Sequence, residues 1–358
     1  MKLTALPVNV GDSFLLRDKD KIILVDGGMN KTHILNLLRQ EKIPNNHIDL
    51  LVCTHYDADH INGIIGILKS QKFTFKEIWL PEILGSIGYT LSEKNFKLFK
   101  DLREHKIDFE SENFECESIL KLQKNKEKHL DSEENNTFED INTKVLDDFV
   151  DNQRLWYFEP FWYYHDSDID YKMMLTLNYT ASLISNALHS GAYIRWFKYN
   201  GYTHKTYGFN LYSENALQTD ITLYDSKLFF LALYHLSLSD INKYSLVYMY
   251  QKENVPDVLF SADSDLHFYQ PQVALKDNSI VTAPHHGSSA NDSAYLRILG
   301  KNLTFIRSDR SQKKRPGQGY LNQTHRYCTI CRNKTTKQKI ELNYNSSTFT
   351  TMAKACQC

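Results

Sequence analysis

Short apolar runs broken by glycine and aspartate open the chain: Leu3 to Val10, Phe14 to Arg17, and Ile22 to Val25, the last closing on Asp26-Gly27-Gly28. Runs of this length between turn residues predict a hairpin pair of strands. The period then changes, because Ile34, Leu35, Leu37 and Leu38 recur at helical spacing across Thr32 to Gln40, with Asn30 placed to cap the helix. Leu50 to Cys53 reads as a short apolar strand and Ile61 to Lys69 as the helix after it. The segment between them, Cys53-Thr54-His55-Tyr56-Asp57-Ala58-Asp59-His60, is therefore a strand-to-helix loop, where side chains can converge on a rigid scaffold.

From Ser86 to Asp151 the pattern turns charged: Lys94 to Glu104 and Asn113 to Lys128 are rich in Lys and Glu, and Asp131 to Asp140 is acidic. This predicts a solvated helical insertion or a flexible excursion. Aromatic residues are dense from Leu155 to Tyr250, above all in the run from Leu155 to Tyr164, where core and sheet packing is the expected role ahead of base stacking. Strand-like alternation at Tyr193 to Tyr199 and Tyr244 to Tyr250 predicts a second sheet. In the final third, Val258-Leu259-Phe260 leads into Ser261-Ala262-Asp263, and Ile280 to Ala283 leads into Pro284-His285-His286-Gly287-Ser288, so both apolar runs end on groups that can bind a metal. The chain divides as 1–85, an insertion at 86–190, and 191–358.

Hydrophobic residues at 42% and aromatics at 13% fit a globular protein, and a net charge of −1 provides no global basic field for nucleic acid, although a local groove would suffice. The opening residues lack the apolar core of a signal peptide, and no apolar run reaches bilayer length, so the expectation is a soluble cytoplasmic protein without a membrane partner. Six cysteines are too few for a disulfide scaffold, and Cys53 and Cys116 stand alone, which suits a reducing compartment.

Imidazole and carboxylate groups at positions 55, 57, 59 and 60 are ligand chemistry for a divalent cation such as zinc, manganese or iron. Two cations about 3.5–4 Å apart acidify a shared water into hydroxide and stabilise in-line displacement. One loop supplies too few donors for two metals, and Asp263 with the His285-His286 pair would complete them. The alternative is an aspartate-capped turn with two surface histidines.

The His55-x-Asp57-x-Asp59-His60 segment, Leu24 to Gly28, Val10-Gly11-Asp12-Ser13, Ser261-Ala262-Asp263 and Ala283 to Ser288 together resemble the metallo-β-lactamase-fold hydrolases. Within them they are most similar to the branch containing the nuclease-like domain of bacterial competence DNA-uptake proteins. The motif order matches over 1–85 and again from about 240 to 310. The resemblance implies an α+β fold, a four-layer αββα sandwich with a large helical and aromatic-rich insertion. It implies two divalent metal ions, zinc or manganese, with His55 and Asp57 serving one, Asp59 and His60 the other, Asp263 bridging and His286 completing the second. Asp59 and His285 are then the catalytic candidates, His285 contacting a phosphate or assisting proton transfer, although the division of labour within the adjacent pair stays open. Asp26 resembles the family's buried aspartate behind the ligand loop; a turn aspartate before two glycines is the competing reading.

The sequence departs from the commoner pattern where Asp57 replaces a histidine. Asn242-Lys243-Tyr244-Ser245 fits the competence branch's Asn-x-x-Ser element, which makes Asn242 and Ser245 substrate-binding candidates. The oxygen-rich donor set shifts preference toward manganese. Ala262 stands where that branch has glycine, which argues against the tightest turn.

Three further signals remain. Cys328 and Cys331, with Cys356 and Cys358, could supply four thiolates for a structural zinc, but the one-residue gap of the second pair favours free thiols or strand cysteines in a final hairpin. Arg307, Arg310, Lys313, Lys314 and Arg315 form a basic cluster that either positions a polyanion's phosphates, with Arg307 the substrate-binding candidate, or is an ordinary solvated loop. Gln318-Gly319-Tyr320 suggests a mobile loop near the site.

The leading expectation is a metal-dependent hydrolase of phosphodiesters, with nucleic acid or a nucleotide as substrate, acting through metal-bound hydroxide. Soluble relatives of this kind are often found beside genes for defence against phage, which implies an anti-phage effector. One alternative is a phosphodiesterase for a small or cyclic nucleotide, with the aromatic insertion closing over a base. Another is an interaction protein with a degenerate metal site whose insertion binds a protein partner. Oligomeric state is left open.

Overall fold

A computed structural model describes residues 1–94, 167–202, 206–224, 226–237, 242, 244–309, 315–331, 337–345 and 348–358. The acidic stretch at 131–140, the aromatic run at 155–164, the helical readings at 113–128 and beyond Lys94, and Arg310, Lys313 and Lys314 lie outside these residues.

The chain runs β1 (Lys2–Ala5), β2 (Phe14–Asp18), β3 (Lys21–Val25), α1 (Lys31–Gln40), β4 (His47–Val52), α2 (Ala58–Ser70), β5 (Thr74–Pro81) and α3 (Glu82–Lys94). It resumes with α4 (Ser167–His189), β6 (Tyr193–Tyr199), β7 (Thr206–Gly208), β8 (Leu211–Ser213), β9 (Ala216–Thr219), α5 (Ser226–Ser237), β10 (Tyr248–Lys252) and β11 (Val255–Phe260). The last elements are β12 (Val273–Ala274), β13 (Ile280–Thr282), β14 (Ile298–Leu299), β15 (Thr304–Arg307), α6 (Gln318–Leu321), β16 (His325–Cys328), β17 (Ile340–Asn345) and β18 (Thr348–Thr350).

Two large sheets result among the described residues, ordered β18-β17-β1-β2-β3-β4-β5-β6-β9 and β16-β15-β13-β11-β10-β8-β7. Met1–Gly85, Ser182–Thr222 and Ser239–Cys358 make one compact unit, which holds both sheets; Ser86–Ala181 and Leu223–Leu238 make a second. Within the second unit, Tyr224 N donates to Thr90 Oγ1 at 2.9 Å.

The period-two pattern explains the layering. Leu16, Ile23, Val25, Leu50, Val52, Trp79 and Phe197 of the first sheet share one buried core with Tyr248, Tyr250, Val258, Phe260, Ile280 and Ile306 of the second. Leu15, Leu24 and Leu51 alternate with them and are buried as well, because this mixed sheet, parallel from β3 to β6, is covered on both faces. The helices between its parallel strands provide that cover: α1 joins β3 to β4 and α2 joins β4 to β5. The Asn30 side chain caps α1, accepting from Thr32 N and His33 N. The outer face of the second sheet has its own core, in which Met249, Leu259, Val281 and Phe305 meet Tyr295 and Tyr320. Short 3-10 turns at Pro284–Gly287 and Ser289–Arg297, with α6, supply this outer layer. The architecture is α+β, helix, sheet, sheet, helix.

Two sequence expectations change. Tyr193–Tyr199 is a strand, but it extends the first sheet, where β6 pairs in parallel with β5; of the two alternating runs only the later enters the second sheet, as β10. Alternation identifies a half-covered strand and carries no information about its partner. Gln318 to Tyr320 lies in α6 instead of a mobile loop, and Tyr320 is fully buried with its hydroxyl donating to Tyr327 O at 2.8 Å. No helix among the described residues is long and apolar enough to cross a membrane.

Candidate metal centre

β3 and β4 run side by side and end in register at Val25 and Val52, so Asp26 and the loop from Cys53 leave adjacent strand ends. Helix α2 begins at Ala58, earlier than the apolar pattern suggests, which places Asp59 and His60 on its first turn. On the second sheet β11 and β13 are parallel neighbours, and their ends deliver Asp263 and the His285-His286 pair. Strand ends of both sheets thus supply donors to one place.

Asp263 sits at the middle, buried. Its Oδ1 lies 3.4 Å from His60 Nε2 and 3.2 Å from His286 Nε2, and His286 Nε2 is also 3.4 Å from Asp59 Oδ2. Its Oδ2 faces a different group: His285 Nε2 at 3.3 Å, His55 Nε2 at 3.7 Å, and the Asn242 amide, which donates at 3.3 Å. His55 Nε2 is 3.9 Å from Asp57 Oδ2. The structure therefore brings together His55, Asp57, Asp59, His60, Asp263, His285 and His286, with the two oxygens of one carboxylate turned to two donor sets.

These residues fit divalent cations. A tetrahedral cation at about 2.1 Å from each ligand holds those ligands about 3.4 Å apart, which is the spacing of the His60, His286 and Asp263 atoms, with Asp59 at the same distance from His286. His60 and His286 place their Nε2 atoms 3.2 Å from one another although each commits its Nδ1 to a carboxylate. Two neutral imidazoles so arranged aim lone pairs at each other, which a shared cation relieves. His55 Nε2 and Asp263 Oδ1 are buried without a hydrogen-bond partner, and such atoms are costly unless a ligand completes them.

The electrostatics agree. Among the described residues the carboxylates of Asp12, Asp26, Asp57, Asp59 and Asp263 have histidines, but no Lys or Arg, as charged partners. Burial, then the Asp263 and Asp59 charges, pushes Asp57 up to about 6. Burial, then the His60 charge, pushes His55 down to about 4. At His60 burial opposes charge, but Asp26 and Asp263 outweigh it and hold the pKa well above the usual range; Asp263 and Asp12 do the same at His286.

Behind the donors stand carboxylates that aim them. Asp26 Oδ2 accepts from His60 Nδ1 at 2.8 Å and from Thr54 Oγ1 at 2.7 Å, while its Oδ1 accepts from Thr54 N at 2.9 Å, fixing both the helix start and the loop. Sequence reasoning assigned no role to Asp12. Its Oδ1 lies 3.0 Å from His286 Nδ1 and accepts from Ser308 Oγ at 2.8 Å, so it orients His286 as Asp26 orients His60. The available signal was the shared pattern, an aspartate beside glycine after a short strand, twice over. Carboxylates in this position tune ligand basicity and orientation, so Asp12→Asn is expected to weaken metal affinity by about 10–100-fold, read by chelator competition, while the melting temperature of the metal-free protein changes little.

Backbone strain is present here. Asp26 (φ 58°), Ala262 (φ 48°), His285 (φ 47°) and His286 (φ 53°) are all left-handed. Each costs on the order of 1–3 kcal/mol, a cost that persists where surrounding structure imposes it. The expectation for Ala262 is corrected: the tight left-handed turn forms with alanine in it, held by His285 N donating to Ala262 O at 2.9 Å.

Other expectations are corrected as well. Arg307 is fully buried near the end of β15, its Nη2 donating to Ile330 O at 3.2 Å, and it does not face a substrate. Arg315 pairs with buried Asp309 at 3.2 Å. Ser245 is buried, its Oγ donating to Asn242 O at 2.6 Å, so it closes the turn that holds Asn242 and does not reach a substrate. Asn242 itself bonds Asp263 and Asp57. His285 is held from behind, with Nδ1 3.0 Å from Asn291 Oδ1, and remains partly open to solvent.

A strand-end centre of this composition, between two sheets, directs attention to one superfamily. Residues 6–150 match the family model of the Metallo-beta-lactamase superfamily. That superfamily consists mostly of metal-dependent hydrolases, in keeping with the donor sets above. The metallo-beta-lactamase fold protein YhfI from Bacillus subtilis is a similar solved structure, 8% identical, with a TM-score of 0.37 over 95% of this chain and 99% of that one. Comparison with curated proteins gave no match.

Proposed function

We propose that the protein is a hydrolase of phosphodiesters, with nucleic acid or a nucleotide as substrate and two divalent cations, zinc or manganese, as cofactors. The observation that carries this reading is the split of the Asp263 carboxylate between two donor sets. His55, Asp57 and Asp263 would hold one cation, and Asp59, His60, His286 and Asp263 the other. Bound there, such cations supply Lewis acidity that neutralises charge developing on phosphoryl oxygens.

The chain's own groups do the rest. Asp57, Asp59 and His285 are the more open donors, so the substrate approaches from their side. Against the opposing effect of burial, the hydrogen bond to His286 holds the Asp59 carboxyl well below the usual range, and Asp59 accepts a hydrogen bond from the attacking water. His285, with Nδ1 turned to Asn291, presents Nε2 to a phosphoryl or leaving oxygen and can pass it a proton. Asn242 keeps the Asp263 carboxylate from rotating between the two sets.

Likeness to the competence branch supports nucleic acid, and the oxygen-rich donor set supports manganese alongside zinc. With Arg307 buried and Arg315 paired, these two basic residues do not favour a polymer over a small nucleotide. An anti-phage role forms part of the proposal through the resemblance alone.

The test is metal-stripped protein, reloaded with manganese or zinc, against single- and double-stranded DNA, RNA, cyclic dinucleotides and the generic diester bis-p-nitrophenyl phosphate. The wild type should cleave at least one, and Asp59→Ala none. Full metal occupancy with no hydrolysis of any of them would overturn the reading.

A further inference from the structure

Four cysteines that the hydrolytic centre does not use converge at the end of β16. Cys328 closes that strand, Cys331 follows it, and Cys356 and Cys358 return from the last residues; their sulfurs all lie within 4.8 Å of one another. Cys328 Sγ is 2.8 Å from Cys356 Sγ and 3.9 Å from Cys358 Sγ, and all four are free thiols. Neither separation is that of a disulfide, which needs about 2.05 Å; four thiolates about 2.3 Å from one zinc stand about 3.8 Å apart, close to the Cys328–Cys358 separation.

The surroundings are built to hold them. The returning segment is fixed by Cys356 N donating to Arg326 O at 2.8 Å. Gln338 clamps it further, donating to Lys354 O at 2.9 Å and Cys328 O at 3.0 Å and accepting from Lys354 N at 3.1 Å. Cys358 N donates to Cys356 Sγ at 3.4 Å, and hydrogen bonds to ligand atoms of this kind orient and tune a metal site.

Charge supplies a separate argument. Arg307, fully buried, hydrogen-bonds the Cys328 side chain. A buried guanidinium is stable only near compensating negative charge. The Asp309 carboxylate supplies part of it, and a tetrathiolate around a divalent cation, with its net negative charge, would add to it.

We propose that Cys328, Cys331, Cys356 and Cys358 bind one structural zinc ion that fastens the returning segment to β16. Four soft ligands, with no position left open, select zinc in a closed tetrahedral site. The site also stands behind the metal-binding turn of the hydrolytic centre. A Cβ on Gly287, next to His286, would meet Arg307 Cδ at 3.2 Å and Tyr320 Cβ at 3.4 Å, so the residues packed on the thiol cluster also back that turn.

Cobalt(II) substitution tests this in the full chain, since the other centre has only nitrogen and oxygen donors. Cobalt-loaded protein should show an intense thiolate-to-cobalt charge-transfer absorption, retained in Asp263→Asn and lost in Cys328→Ser and in Cys358→Ser. Should Cys328→Ser fail to fold, the partly exposed Cys358 provides the milder variant, and a mercurial titration of the zinc-loaded wild type needs no variant. That titration should release one zinc per chain as the four thiols are consumed. Absence of the band in folded, cobalt-loaded protein, free reaction of all four thiols with Ellman's reagent, or their recovery as disulfides by mass would each overturn the proposal. None of these readouts depends on hydrolysis.

Discussion

Asp263→Asn is expected to lower hydrolysis of the best substrate by about a thousandfold or more, and to do so without unfolding the protein. The exchange is nearly isosteric, so the packing around a buried side chain is kept. What changes is the charge and one oxygen. The carboxylate now faces His60 and His286 through Oδ1, and His55, His285 and the Asn242 amide through Oδ2. An amide offers one acceptor oxygen, so one of the two sets must face an NH2 group, which cannot ligate a cation. Both the second cation's affinity and the pairing of the two sites are lost together. The measurement is metal content by mass spectrometry alongside kcat/KM at saturating manganese, with circular dichroism as the fold control. Activity within tenfold of wild type, at unchanged metal content, would show that Asp263 does not bridge.

The parts of this centre legible in the sequence are those whose chemistry is dense over a few residues. His55, Asp57, Asp59 and His60 stand out because no packing role calls for four such groups after an apolar strand. Asp263 and His285-His286 stand out because each closes another apolar run. The hidden parts depend on contacts across the fold. Asp12 reads as any turn aspartate until His286 is folded onto it. Arg307 reads as one of a basic cluster, because sequence does not show that β15 lies between β13 and β16 with its last side chain turned to a thiol cluster. Ser245 matched a motif, yet only its hydrogen bond to Asn242 shows that it acts through its neighbour. Ala262 shows tertiary structure overriding local preference: the turn that carries Asp263 takes left-handed backbone whatever side chain occupies it. Spacing alone does not reveal that the cysteines converge, because the Gln338 clamp that brings the second pair in lies between the pairs in sequence.

Gly63→Ala should be strongly destabilising although helix propensity predicts the reverse. In an exposed helix the change is worth about 1 kcal/mol in favour of alanine. Gly63, however, lies in α2 against the Asp26-Gly27-Gly28 turn, and a Cβ there would fall 1.9 Å from Gly27 O and 2.3 Å from Gly27 C. Both are backbone atoms, so no side chain can swing aside. A Cβ on Gly27 would in turn fall 2.4 Å from Ile64 N. The close approach is held by Gly27 N donating to His60 O at 3.0 Å and Gly63 N donating to Gly28 O at 2.8 Å. To admit a methyl group the helix must move away, breaking these bonds, and overpacking of this kind costs about 3 kcal/mol or more, enough to outweigh propensity. A drop in melting temperature of roughly 5–10 °C follows. The same displacement separates His60 from Asp26, now 2.8 Å apart, so metal affinity should fall with stability. Scanning calorimetry with and without metal reads both effects. A melting temperature equal to or above wild type would mean that α2 does not lie against that turn, and the aim of His60 would then need another explanation.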